Sequence, residues 1–539
     1  MDKPTTLNIS FAQNNRKGAS LTIKPKHRIG ITYVPGALPC FEDFGNLPTD
    51  IVRQDGLIDG KPASEILDMI IIPGGSLVES QSVNNGVAHE ILRMAESGKF
   101  VLGVCAGFQV LAKKTDVGRL SSVPILREGL GLLDVEFKPL ICTDRVKATV
   151  VGKSYITSEG GEVTGFHCHT YGKIDLGNEA KPILVSHVSR LNYHKANQDI
   201  VSGVSNKSGN IVGVLVHALL DQNQIIKKSI LQALDVSEEE LGKIKMANSK
   251  LVQAIKNEIG ISTQNIAPTT TKKMQKPSFL LITALGSGSG KTFLVTGIAG
   301  ALKKRGFNVG VLKIGGDIRD SVPALYLIKE PIKDYSSIKI GESGWTQVSV
   351  AIREAAANYN LVLIEGAMSA FTGLLNDTVE KPSSTVEVAV ATRASTILVA
   401  NCEKEGIEGT LIAAANYLRV MKNLGVNVKG VILNKMRLSY STSELMVLLK
   451  RTFEGFGTTL LGVVPRLELE GRGLIPEIEI KYDEFGAKAM EVAERFVNLD
   501  AMIRAAEPVA NISDNYKETS GKFKNLLDDF NFKMIKGEN

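Results

Sequence analysis

Five cysteines in 539 residues, at positions 40, 105, 142, 168 and 402, are too few and too scattered for a disulfide framework, and no two of them form a C-x-x-C pair. That usage fits a reducing compartment. Tryptophan occurs once and aromatics make up 6% of the chain. No basic stretch carries interleaved aromatics, which argues against nucleic acid as a partner. The net charge is only +6, and it includes a basic N-terminal tail (Arg16, Lys17, Lys24, Lys26, Arg28). No apolar run approaches the ~20 residues that span a bilayer, and the opening "MDKPTTLNIS" lacks the apolar core of a signal peptide. The expectation is a cytoplasmic protein without a membrane partner. What is present is 43% hydrophobic and 22% charged residues, an ordinary globular balance on a chain long enough for several domains.

The pattern divides the chain. A polar tail (1–26) precedes "HRIGITYVPG", where strand-like and helix-like segments begin to alternate and continue over 27–260. "STQNIAPTTTKKMQKP" breaks the alternation, so 261–277 reads as a linker. A second alternation covers 278–506, and 507–539 is a polar C-terminal tail. Such alternation predicts α/β architecture: two doubly wound, mostly parallel sheets with helices on both faces.

In the first unit "VLGVCAGFQVLA" sets Cys105 between a strand over Lys99–Val104 and a helix over Gly107–Lys114. Small neighbours allow a tight turn that projects the side chain, and a helix N-terminus favours thiolate, so a lowered thiol pKa is expected. A buried structural cysteine is the plainer reading of the same residue.

In the second unit "ALGSGSGKTF" follows an apolar strand and opens a helix. The strict GxxxxGK[ST] spacing would need glycine at 285, where Leu285 stands, so the first glycine is displaced by one. Gly286, Gly288 and Gly290 still let backbone amides face phosphate oxygens at a helix N-terminus. Lys291 would reach the β- and γ-phosphates of ATP and Thr292 would hold Mg²⁺. Asp317 and Asp320 in "KIGGDIRD", and Glu365 in "LVLIEGAMSAF", are candidate acids at strand ends, and Asn434 in "GVILNKM" could read the adenine edge.

These stretches carry a resemblance. From about Ser278 to Ala506 the chain resembles the synthetase domain of the cobyrinic acid a,c-diamide synthase and cobyric acid synthase family, relatives of dethiobiotin synthetase, through "KIGGDIRD", "IEGAMSAFTG", "GVILNKM" and "LLGVVPRLELEGRGLIPEIE". From about His27 to Asp221 it is similar to the family's class I glutamine amidotransferase domain. "GVCAGFQ" matches the nucleophile elbow at Cys105, "IIIPGG" the oxyanion segment at Gly74 and Gly75, and "GNIVGVLVHALLD" the strand bearing the general base, His217. Many class I amidotransferases place Glu two residues after that His. Leu219 stands here, as in the cobyric acid branch, which lacks the third member.

The resemblance implies glutamine-dependent amidation of a carboxylate by Mg-ATP, with L-glutamine, ATP and a small carboxylic acid, a tetrapyrrole among the candidates, as partners. Thr292, Asp317 and Glu365 would bind the metal and Asp320 the substrate, with Asp320 the competitor for Asp317's place; a homodimer is one arrangement it allows. Three features depart from the family. The amidotransferase unit comes first, the stretch after Asp320 lacks the family's His and Asn-Leu-Asp pattern, and "GFHCHTYGK" matches its counterpart only loosely. Within "HCH", His167, Cys168 and His169 lack the partner cluster a metal site needs, and His169 is expected to line the glutamine pocket. The alternative function is a P-loop ATPase switch with the first unit as sensor or docking module.

Overall fold

The computed structural model describes residues 24–83, 85–258, 276–376, 381–403, 405–437, 443–467, 482–509, 512–513 and 516–536. Nearly all of the expected N-terminal tail, most of the expected linker, and the part of "LLGVVPRLELEGRGLIPEIE" from residue 468 onward lie outside the described residues.

The first unit is built on a nine-stranded sheet. Its strands run in the order Asp50–Val52, Ile29–Thr32, Met69–Ile72, Phe100–Val104, Ile211–Val214, His194–Ser205, Lys181–Leu191, Arg145–Val150, Gly161–Phe166. The first five are parallel and the remaining pairings antiparallel. Sequence composition explains the division. "MIII" is buried at every position, as parallel strands covered on both faces require, whereas "RVKATV" alternates exposed and buried. A four-stranded sheet (Lys173–Leu176, Val135–Lys138, Lys114–Asp116, Leu126–Glu128) packs beside it.

The helix after Cys105 covers only Ala106–Leu111, because Ala112 is extended and Lys113 N–H donates to Val135 O at 3.0 Å. Sheet pairing takes the chain that helical periodicity would have carried to Lys114. The hairpin Lys181–Leu191/His194–Ser205 was not legible from periodicity, and its turn residues Asn192 and Tyr193 both have positive φ.

The second unit is a seven-stranded, wholly parallel sheet in the order Ser337–Ile338, Val309–Ile314, Leu361–Glu365, Ser278–Ala284, Ser395–Asn401, Val428–Met436, Thr459–Pro465. Its central strands are buried along almost their whole length, and each fully buried Leu, Ile or Val contributes about 1.5–3 kcal/mol of transfer free energy. The strand carboxyl ends of such a sheet gather at one edge, where ligands bind.

The two units share an apolar seam. Leu38, Phe41, Phe166 and Ala218 belong to the same buried cluster as the core of the second sheet. The Phe166 and Trp345 rings lie 5.0 Å apart, and Ile332 N–H donates to Phe41 O at 3.0 Å.

Candidate active site

Cys105 occupies the turn between its strand and helix with φ 51° and ψ −106°, a conformation that a non-glycine residue holds only when its surroundings dictate it. Here Cys105 N–H donates to Val214 O at 2.8 Å, tying the turn to the neighbouring strand. Gly74 faces both Cys105 and His217: a methyl group on its α-carbon would lie 2.8 Å from His217 Cε1 and 3.6 Å from Cys105 Cβ. Gly75, at φ 138°, leaves no room for any side chain against Gly36 O.

His217 is buried between Phe41, edge-on at 5.0 Å, and Phe166, stacked at 5.3 Å. Its Nδ1 lies 2.9 Å from Glu42 Oε1, and its Nε2 is sealed from solvent without a partner. Glu42 thus sets a carboxylate against His217 although position 219 holds Leu219, which packs into the core. The thiol pKa also differs from expectation. Burial pushes Cys105 well above the usual thiol value, and nearby Cys168, Glu79 and Glu42 push the same way. A six-residue helix start in an apolar setting does not offset them.

Cys105 opens on a chamber of about 230 Å³ lined also by Gly75, Glu79, His169, His217 and Arg319. His169 therefore stands at the chamber, its Nδ1 donating to Leu140 O at 3.0 Å and burial holding its pKa down at about 3. The ring is neutral.

The second site is a cavity of about 1100 Å³ at the strand ends, lined by residues 287–293, Asp317, Asp320, Glu365 and Asn434, and by Arg190 and Tyr193 from the first unit's long hairpin. Gly290 has φ 81° and directly precedes the helix Lys291–Lys304; Gly288 is also left-handed, whereas Gly286 is not. Lys291 Nζ donates to Met368 O at 2.6 Å. Burial, with Lys313 adding to it, lowers the Lys291 pKa to about 8. Asn434, expected at a base edge, here braces the loop: its Nδ2 donates to Ser289 O at 2.8 Å and its Oδ1 accepts from Lys435 N–H at 2.9 Å.

Among the acids, Thr292 Oγ1 donates to Glu365 Oε1 at 2.8 Å. Lys313 bridges Glu365, at 3.3 Å, and Asp320, at 2.7 Å. Burial opposes charge on Lys313, but these two carboxylates outweigh it and raise its pKa. Asp317 forms a bidentate pair with Arg319 at 2.9 Å. Burial resists ionisation of Asp317, yet Arg319 holds its pKa low. Glu365 Oε2 is buried without a partner, on the carboxylate whose Oε1 accepts from Thr292, so these oxygens fit a hard cation, with Asp320 or Asp317 completing a carboxylate set.

Sequence reasoning passed over Lys313 and Arg319. A lysine inside the buried strand "VGVLKI" was the available signal for the first. Arg319 ties the units together, donating to Thr170 Oγ1 at 3.0 Å and to the Tyr193 hydroxyl, contacts that local sequence does not announce.

The chain thus joins an α/β unit with a cysteine elbow and a buried His–Glu pair to a second α/β unit with a glycine-rich loop at a helix N-terminus. Residues 37–225 match the CobB/CobQ-like glutamine amidotransferase domain family, and residues 280–472 match the CobQ/CobB/MinD/ParA nucleotide binding domain family, in that order along the chain. The chain is similar to a cobyric acid synthase of Clostridium botulinum, 30% identical over 30% of this chain and 32% of that one. It is also similar to a hydrogenobyrinate a,c-diamide synthase of Mycobacterium tuberculosis, 28% identical over 42% of this chain and 50% of that one. The chain thus spans about a third to a half of the length of the curated relatives it matches. Among solved structures, that of PurLQS from Thermotoga maritima matches at 22% identity and a TM-score of 0.29, over 39% of this chain and 99% of that one. Among the described residues, no helix is long and apolar enough to cross a membrane.

Proposed function

We propose that this chain takes ammonia from glutamine at Cys105 and uses ATP to join it to a carboxylate, an acid of the tetrapyrrole kind on which its relatives' names are built. One observation carries the reading. Tyr193, Thr292, Asp317 and Asp320 line both the chamber at Cys105 and the cavity at the phosphate loop.

Cys105 Sγ attacks the side-chain carbonyl of glutamine while its proton passes to His217 Nε2, which needs no other partner. The buried thiol is neutral at rest, so His217 is required as the base. Backbone N–H groups of Gly74 and Gly75 take the oxyanion. Collapse returns the proton to the departing nitrogen, releasing ammonia, and water then frees glutamate from the thioester.

In the second unit the acceptor carboxylate attacks the γ-phosphorus of ATP, giving an acyl phosphate and ADP, and ammonia displaces phosphate to leave the amide. Lys291 meets the phosphates, whose charge restores a full proton to its ammonium. Mg²⁺ would be held by Thr292 and Glu365 with Asp317 or Asp320, and would neutralise phosphate charge when bound. A non-synthetic ATPase switch would have no use for the chamber at Cys105.

Cys105→Ser tests the scheme. Glutamine-dependent amidation should disappear while ammonium-dependent amidation persists. Loss of both in a folded variant contradicts two separate sites.

A further inference from the structure

The chamber at Cys105 holds two hydrogen-bond acceptors that the scheme above leaves idle. Glu79 sits on the short helix Leu77–Ser80, immediately after the Gly74–Gly75 turn. Its Oε2 is sealed from solvent and has no hydrogen-bond partner. His169 donates through Nδ1 to Leu140 O, which leaves Nε2 as a lone-pair acceptor, also buried and without a partner. Both side chains line the chamber with Cys105. Glu79 is near enough for its charge to raise the Cys105 thiol.

A buried carboxylate oxygen without a donor is costly, and more so in a low-dielectric pocket. Arg127 lies close enough to favour ionisation of Glu79, but its Nε is itself buried without a partner. Burial raises the Glu79 pKa to about 7, so a cationic donor entering the chamber would convert it fully to the carboxylate. The complement of two orphaned acceptors is a group that only donates and carries positive charge. Glutamine has one such group, at the far end from the amide that Cys105 attacks.

We infer that Glu79, with His169 as a second acceptor, binds the α-ammonium of glutamine and makes the chamber select a free amino acid over a plain amide. This rests on the glutaminase reading above. It assigns Glu79 to substrate positioning, because the contact is equally available before and during attack on the amide and acts mainly on binding.

The test compares glutamine with glutaramate, which is glutamine lacking its α-amino group, in the full chain with Mg-ATP present. The wild-type protein should favour glutamine in kcat/KM. Glu79→Gln should lower that preference about tenfold or more, chiefly through KM for glutamine, as expected for removing the charge from a buried hydrogen bond. Glu79→Asp should retain part of it. The preference is a ratio within one preparation, so the fraction of folded protein cancels. An unchanged ratio in Glu79→Gln overturns the assignment. A wild-type protein whose Cys105 hydrolyses neither compound, and is not alkylated by the diazoketone analogue of glutamine, overturns the glutaminase reading beneath it.

Discussion

Glu42 and His217 stand 175 residues apart in sequence, yet Glu42 Oε1 lies 2.9 Å from His217 Nδ1. The other oxygen of Glu42 accepts Ala218 N–H at 2.7 Å, so the carboxylate grips both the ring and the backbone beside it. In the proposed reaction, a proton on Nδ1 directed at the carboxylate leaves Nε2 as the basic nitrogen and stabilises the imidazolium formed during attack. The carboxylate that faces His217 comes from the loop before residues 44–46 and not from the helix that follows the histidine.

Glu42→Gln should therefore lower kcat for glutamine hydrolysis by about 10²–10⁴-fold, the scale seen when a triad carboxylate loses its charge. KM should stay within about threefold, since Glu42 holds His217 and does not touch the substrate. Glu42→Asp should recover part of the rate. Steady-state kinetics checks this, and a loss expressed in KM alone would contradict it.

The Cys105 thiol gives a pH signature. Burial raises its pKa, so the folded protein keeps the proton where an unfolded chain, with a thiol near pH 8.5, has lost it. Its contribution to stability is complete below that value and is lost as pH rises from there through the raised folded-state pKa. Alkylation by iodoacetamide in the absence of glutamine should remain slow at neutral pH and rise only above the ordinary thiol range. A midpoint at or below that range would contradict a neutral resting thiol.

How much of this was legible depended on how local each feature is. The elbow at Cys105 and the cradle at Gly286–Thr292 are contiguous strand–turn–helix units, and short-range periodicity and small residues announce them. Glu42 carried no such signal, because its partner is brought to it by sheet order: Ile29–Thr32 and Ile211–Val214 lie in one sheet with two strands between them. The same holds for Tyr193, which reaches the second unit only because two long strands pair antiparallel. The rise in the Cys105 pKa was invisible for another reason. The helix dipole can be read from sequence, whereas the burial that overrides it is tertiary.

Lys291→Ala should abolish ATP-dependent amidation and leave glutamine hydrolysis in place, uncoupled from synthesis. Losing a cation aimed at the transferring phosphoryl group costs on the order of 3–4 kcal/mol of transition-state stabilisation. Parallel assays of ADP and glutamate formation check it, and unchanged ATP turnover would remove the cradle assignment.

Lys313 makes a stability prediction. Lys313→Met preserves volume but leaves Glu365 and Asp320 without their shared cation. The Lys313–Glu365 pair is buried whereas Asp320 is 42% exposed, so the loss comes from Glu365, and breaking such a buried pair costs about 3–5 kcal/mol. Thermal unfolding should show the loss, with part of it recovered in Mg-ATP as a bound cation takes over the carboxylates. Equal unfolding midpoints for wild type and variant would mean that the two acids do not depend on Lys313.

The most direct measurement of the central claim follows isotopically labelled amide nitrogen from glutamine, in the presence of Mg-ATP and a tetrapyrrole polycarboxylic acid of the hydrogenobyrinic type. The label should appear in a new amide of the acid, with one ATP converted to ADP for each amide formed, and Cys105→Ser should prevent incorporation. ATP hydrolysis that proceeds with no label leaving glutamine, and that is indifferent to Cys105, would contradict it.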